Sequence, residues 1–142
     1  MKTLLTFFTL AGFLTLTGCA STPSEDSFSS APARFDNGIM VNVAGMTLYT
    51  FDKDTVGSGK SVCNGQCAKN WPPLAAAANA ESRGEFSVVF RDDGSKQWAH
   101  DGKPLYLWIK DNKPGDKTGD GVGKVWRVLK FEDAQIAPPR SY

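Results

Sequence analysis

Histidine occurs once in this 142-residue chain, at His100, and methionine and cysteine occur three times each. That supply leaves little from which to assemble a nucleophile–base pair or a metal cluster. Excess charge is equally scarce, with 16 Lys and Arg against 15 Asp and Glu, so no bulk field draws in nucleic acid or an anionic membrane. Familiar site motifs fail in detail. "GDGVGK" lacks a phosphate loop's first glycine, having Thr118 there, and has Val125 where Ser or Thr must follow Lys124. "DKTGDG" opens like a calcium loop, but its twelfth position is Arg127 where a bidentate Glu is needed. No Gly-x-Ser-x-Gly elbow is present, and Asp92-Asp93 reads as a solvated turn. The expectation is a non-enzymatic protein without a cofactor.

What is present begins at the amino terminus. Lys2 precedes an uncharged apolar run from Leu4 to Leu16, the length of a signal-peptide core and short for a membrane span. The run ends in "LTGC", which resembles the lipobox of bacterial lipoproteins. The resemblance implies cleavage before Cys19, acylation of that cysteine, as with palmitate, and a partner in the membrane itself. Two or three acyl chains, each buried methylene contributing about 0.8 kcal/mol, hold a protein on a bilayer. Ala20 after the cysteine favours the outer membrane if the source has two membranes. Removing residues 1–18 takes Lys2 and no acid, leaving a formal balance of zero.

Residues 19–36, rich in Ser, Ala and Pro, read as a lipidated terminus and flexible tether spanning roughly 25 Å. A mainly β domain follows over residues 37–131, built as two similar antiparallel units, about 37–80 and 85–131. A tail of 132–142 closes the chain. "GIMVNVAGMTLYTF" reads as a hairpin turning at Ala44-Gly45. Strands are expected at 86–91, 96–99, 104–110 and 124–131, with Asp-Gly turns between. Helical signals are few: a turn at "GQCAKN" and a short helix in "PLAAAANAES".

The two units share a text. "GMTLYTFDKD" at 45–54 returns as "GKPLYLWIKD" at 102–111. On a strand, Tyr49 and Phe51 share one face, as do Tyr106 and Trp108. The second copy is apolar on both faces and should be central; the first has a wetter face. Asp54 and Asp111 follow as turn caps able to accept backbone N–H groups, and each copy closes on a tryptophan, Trp71 or Trp126. Such an internal duplication places two supersecondary units against each other.

This Tyr-x-(Phe/Trp)-x-x-Asp pattern, with "CNGQCAKNWPPL" after one copy and "DKTGDGVGKVWRV" after the other, resembles a family of secreted bacterial repeat lipoproteins known as a repeat of unknown function. The resemblance spans about residues 37–130. It implies a duplicated β-fold and no particular activity. Its motif positions fall on Tyr49, Phe51 and Asp54, then on Tyr106, Trp108 and Asp111, read here as core and turn residues. A buried Trp108 would then cost about 3–5 kcal/mol on truncation to alanine.

Cys63 and Cys67, four apart in an exported domain, are read as a disulfide stapling one loop. The alternative is redox or metal work, with Cys63, Cys67 and His100 as candidate ligands and Met40 or Met46 as soft additions for copper. No histidine follows the pair as c-type haem attachment requires. The functional expectation is a lipid-anchored envelope module binding an unidentified envelope ligand or protein; the alternative is extracytoplasmic redox, copper or haem handling.

Overall fold

The computed structural model describes residues 31–135. Cys19, the signal segment and most of the tether lie outside them. Eight short strands form the domain: β1 Ala33–Asp36, β2 Ile39–Asn42, β3 Tyr49–Phe51, β4 Ala75–Ala76, β5 Phe86–Phe90, β6 Lys96–His100, β7 Lys103–Pro104 and β8 Trp126–Val128. Two single-turn helices accompany them, α1 Gln66–Asn70 and α2 Phe131–Gln135. Among the described residues, no helix is long and apolar enough to cross a membrane.

Every named ladder is antiparallel. β1 pairs with β2 across a turn at Asn37-Gly38, where both residues have positive φ (48° and 79°). The turn after β2 is held by Asn42, whose Oδ1 accepts from the N–H groups of Ala44 and Met46. β5 and β6 make the corresponding hairpin, and Asp101-Gly102 turns β6 into β7.

The expected mainly β architecture of two antiparallel units stands, with differences at four places. β1 begins at Ala33, inside the stretch read as tether, because alternate residues Ala33 and Phe35 pack into the core. The alanine-rich segment is not helical: Leu74 N–H donates to Leu105, and Ala75 and Ala76 pair with β6. Tertiary pairing overrides a weak propensity there. The strand expected at 104–110 is a ladder only at Lys103–Pro104; Tyr106 then bridges Tyr49 on one side and Pro73 on the other. Central placement is as expected, but Pro72 and Pro73 offer no N–H for a continuous ladder. Finally, the strand expected at 124–131 is a ladder only at Trp126–Val128, with Lys124 in a 3-10 turn, and α2 takes Phe131 and the start of the segment read as a tail.

The units do not merely abut; they exchange their closing segments. β3 pairs with β8 of the other repeat, Phe51 opposite Trp126. Reciprocally, Leu105 and Leu107 bond to Leu74 and Pro72. Tyr49 and Tyr106 exchange both backbone hydrogen bonds, each 2.9 Å, which places a local twofold relation between them. Around it, Leu48 N–H reaches Met40 at 2.9 Å and Leu105 N–H reaches Trp98 at 3.0 Å. Met40 N–H donates to Leu129 as Trp98 N–H donates to Leu74, both at 2.8 Å.

Alternation along the two motif strands sorts their side chains into two cores. Leu48 and Leu105 join Ala33, Met40 and Leu129. Tyr49 and Tyr106 join Cys63, Trp71, Trp126 and Val128. All four motif side chains are fully enclosed, so the first copy's expected wet face is realised only beyond Thr50, at exposed Asp52.

Candidate functional site

Each tyrosine finds the aspartate of the other repeat. Tyr49 Oη donates to Asp111 Oδ2 at 2.6 Å, and Tyr106 Oη donates to Asp54 Oδ2 at 2.5 Å. Short O–H···O⁻ bonds of this kind are the stronger class. Burial, reinforced by the neighbouring carboxylate, pushes both phenols well above the usual tyrosine range, so they remain protonated donors. The second carboxylate oxygens close the loops as turn caps do: Asp54 Oδ1 accepts Val62 N–H, and Asp111 Oδ1 accepts the N–H and hydroxyl of Thr118. Sequence spacing shows the second role. It hides the first, because nothing in a one-dimensional repeat says that partners are exchanged.

The remaining motif rings form one stack running Phe51, Trp126, Trp71, Trp108. Successive centroids are 4.3, 3.8 and 4.0 Å apart, with interplanar angles of 16°, 6° and 24°. Members alternate between repeats, so each repeat's motif ring lies on the other repeat's closing tryptophan. Tyr49 meets Trp71 edge-on at 5.4 Å and Tyr106 meets Trp126 at 5.1 Å. The inner indoles are buried, whereas Phe51 and Trp108 at the ends are half-buried. Lys110 Nζ lies 5.6 Å from the Trp108 ring, and Trp108 Nε1 is buried without a hydrogen-bond partner.

A polar chain missed in the sequence runs from Tyr106 inward. Ser61 Oγ lies 2.7 Å from Tyr106 Oη; since that phenol donates to Asp54, the serine is the donor there. Arg91 donates to Ser61 Oγ at 3.0 Å, Gln97 Oε1 at 2.6 Å, the Cys63 carbonyl at 2.6 Å and Asn64 Oδ1 at 3.0 Å. Only 6 % of Arg91 is exposed. Neutral acceptors therefore hold Nη1 and Nη2 of this buried cation, whose desolvation would otherwise be costly, while Nε bonds to no protein acceptor. An Arg beside an Asp-Asp turn gives no such signal in sequence.

Cys63 and Cys67 are joined, with their Cα atoms 5.2 Å apart, and Cys63 is fully enclosed beside the aromatic core. His100 lies elsewhere, at the end of β6, 1 % exposed and edge-on to Phe35 and Phe86. Its Nε2 is 3.2 Å from Glu85 and its Nδ1 3.2 Å from Asp101. Met40 is in the leucine core. Among the described residues, no group of three His, Cys, Asp or Glu side chains is arranged to hold a metal.

One open cleft adjoins the motif. It encloses about 690 Å³ beside β3 and β8, and its lining includes Phe51, Asp52, Asp54, Asp120, Asp133, Arg127, Lys103 and Lys130. Arg127 Nε pairs with Asp52 at 3.1 Å, both half exposed, a contact worth little in water. Asp120 Oδ1 accepts Val128 N–H. The cleft thus offers one end of the aromatic stack and charges of both signs.

A family model described as a secreted repeat of unknown function matches the chain twice, over residues 34–75 and 87–130. The two matches bracket the exchanged units, the first starting inside β1. No curated protein matches the chain, and no solved structure does.

Proposed function

The chain belongs to the family of secreted repeats of unknown function, and from that premise we propose a lipid-anchored envelope module that binds a ligand in the cleft beside Phe51 and catalyses no reaction on it. The anchor is Cys19, which lies outside the described residues; the "LTGC" context supports it. Ala20 supports the outer membrane of a two-membrane cell.

The cleft carries the binding reading. Both phenols of the repeated motif are bonded to its carboxylates, and both sulfurs of the staple are bonded to each other. Phe51, Asp52, Arg127 and the lysines face open volume instead. One ring, Phe51, with four aspartates, Arg127 and two lysines around it offers stacking and charge pairing to a polar ligand. Redox or metal handling at Cys63 and Cys67 with His100 has less support, since the sulfurs are bonded to each other and His100 packs with different residues.

Two measurements test this. Metabolic labelling with palmitate should tag the parent chain and not Cys19→Ser, and equal label in both would overturn the anchor. Isolated peptidoglycan sacculi and envelope extracts should retain the parent chain, while Asp52→Asn with Arg127→Ala, at the exposed ion pair, loses retention at unchanged melting temperature. Equal retention of parent and variant would remove the cleft from consideration.

A further inference from the structure

Three indoles and two phenols lie in unbroken ring contact through the middle of the domain: Trp108, Trp71 and Trp126 stacked, Tyr49 and Tyr106 edge-on to the inner two. Indole and phenol are the aromatic side chains that give up one electron most readily, and π-systems in van der Waals contact exchange electrons easily. A phenol yields its electron at moderate cost only when its proton leaves in the same event, because the phenol radical cation is a very strong acid. Both phenols already donate that proton to a carboxylate, Tyr49 to Asp111 and Tyr106 to Asp54.

The outer indole has the opposite provision. Trp108 Nε1 is buried and bonds to no protein acceptor, so no side chain stands ready to take the proton of a radical cation formed there. The Lys110 ammonium near that ring makes positive charge less favourable on Trp108 and drives it inward. Phe51 caps the far end with a ring too hard to oxidise, which separates the stack from the cleft.

We propose that this cluster is a one-electron relay that accepts oxidising equivalents at the half-buried Trp108 and stores them as a neutral tyrosyl radical at Tyr49 or Tyr106. The oxidant, a one-electron acceptor such as a peroxide-derived radical, takes one electron from the stack. The electron-deficient indole, Trp71 or Trp126, recovers it from the tyrosine at its edge. In the same step the phenolic proton crosses to the aspartate Oδ2. The net change converts Tyr–OH and Asp–COO⁻ into Tyr–O• and Asp–COOH, with one electron on the oxidant. A one-electron reductant such as ascorbate restores the pair, the proton returning along the same hydrogen bond.

The test uses the full chain in detergent, carrying Tyr142→Phe so that Tyr49 and Tyr106 are its two tyrosines. Flash-generated tris(bipyridine)ruthenium(III) is the oxidant, and transient absorption with freeze-quench EPR identifies the radicals. An indole radical should appear first and convert to a neutral tyrosyl radical, more slowly in deuterium oxide. Trp108→Phe should lower the tyrosyl yield several-fold. Trp98→Phe should leave it unchanged, since Trp98 packs on Phe86 outside the stack. Replacing both Tyr49 and Tyr106 with Phe should leave a long-lived indole radical. Equal tyrosyl yields from the Trp108→Phe chain and the parent would overturn the relay, as would an indole radical that decays equally fast without the tyrosines. Should a stack variant unfold, the order of radicals and the isotope effect in the parent decide: a tyrosyl radical with no preceding indole radical, or no isotope effect, refutes it.

Discussion

The loop after β3 and the loop after Tyr106 each cover the tyrosine of the other repeat, and they do it with different materials. The first loop uses side chains: Ser61 sits on the Tyr106 hydroxyl, Arg91 fills in behind it, and the Cys63–Cys67 bridge holds the path. The second loop uses its backbone. Gly119 comes so close that an added Cβ would lie 2.8 Å from Trp71 Cη2 and 2.9 Å from Tyr49 Cε1, and its N–H donates to Tyr49 Oη at 3.2 Å. What the repeats hold in common lies on the local twofold axis, namely the tyrosines, aspartates and inner tryptophans. What differs lies away from it. The exchange thus constrains the centre and leaves the periphery free to diverge.

The largest expected effects test whether the centre is symmetric. Trp71→Ala and Trp126→Ala should each cost about 3–5 kcal/mol, as large buried aromatics do, and to similar extents in urea unfolding. A clear inequality would mean that one repeat carries the core. Trp108→Ala should cost less than either, because Trp108 is half-buried, which revises the expectation drawn from full burial.

Next in size is the exchange itself. Tyr106→Phe and Tyr49→Phe each remove a hydrogen bond to a charged group, about 1.5–3 kcal/mol. Tyr106→Phe also takes the acceptor of the Ser61 hydroxyl at 2.7 Å, and Tyr49→Phe that of the Gly119 N–H at 3.2 Å, so loss of the shorter Tyr106 contact should be the worse of the two. In double-mutant cycles Tyr49→Phe should couple to Asp111→Asn and not to Asp54→Asn. Coupling within one repeat would refute the exchanged pairing.

The periphery should respond more weakly and unequally. Gly119→Ala forces a methyl into the Trp71 and Tyr49 rings and should cost about 1–3 kcal/mol, read as a lowered urea midpoint. Replacing Cys63 and Cys67 together by alanine should cost about 2 kcal/mol, the small gain of a short closed loop. Hydrogen exchange should then quicken around residues 55–70 and not around 112–125; spread of the effect to both loops would show that the bridge supports the whole domain.

The smallest effect at ordinary pH is the phenols'. Their folded pKa values lie above the unfolded value, so their contribution is complete below about pH 10. Above it the unfolded chain releases protons that the folded chain keeps, and stability falls as pH rises. An alkaline urea series should show that decline, and Tyr49→Phe with Tyr106→Phe should flatten it.

The duplication, the hairpins and the small turn at Gln66–Asn70 were legible because each is local: a repeated string, alternation around Asp-Gly or Ala-Gly, a short polar turn. The exchange was not. Tyr49 and Asp54 stand in one string, and nothing local says that the acceptor is Asp111. The alanine-rich run misled for the same reason, since Leu105 and β6 decide its backbone from far along the chain. Arg91 was invisible because its acceptors, Ser61, Cys63, Asn64 and Gln97, are assembled only by folding.

The pairing of β3 with β8 has a consequence for how the protein leaves the cell's interior. A secreted chain emerges amino end first, so the first repeat reaches the far side before the second. At that stage Asp54 lacks Tyr106, Trp71 lacks Trp126, and β3 has no ladder partner. The first half cannot close on itself, and its contacts wait until Trp126–Val128 has followed. Long-range pairing of this kind slows folding. The exchanged pairing therefore lets the domain close only once nearly all of residues 33–128 are available together.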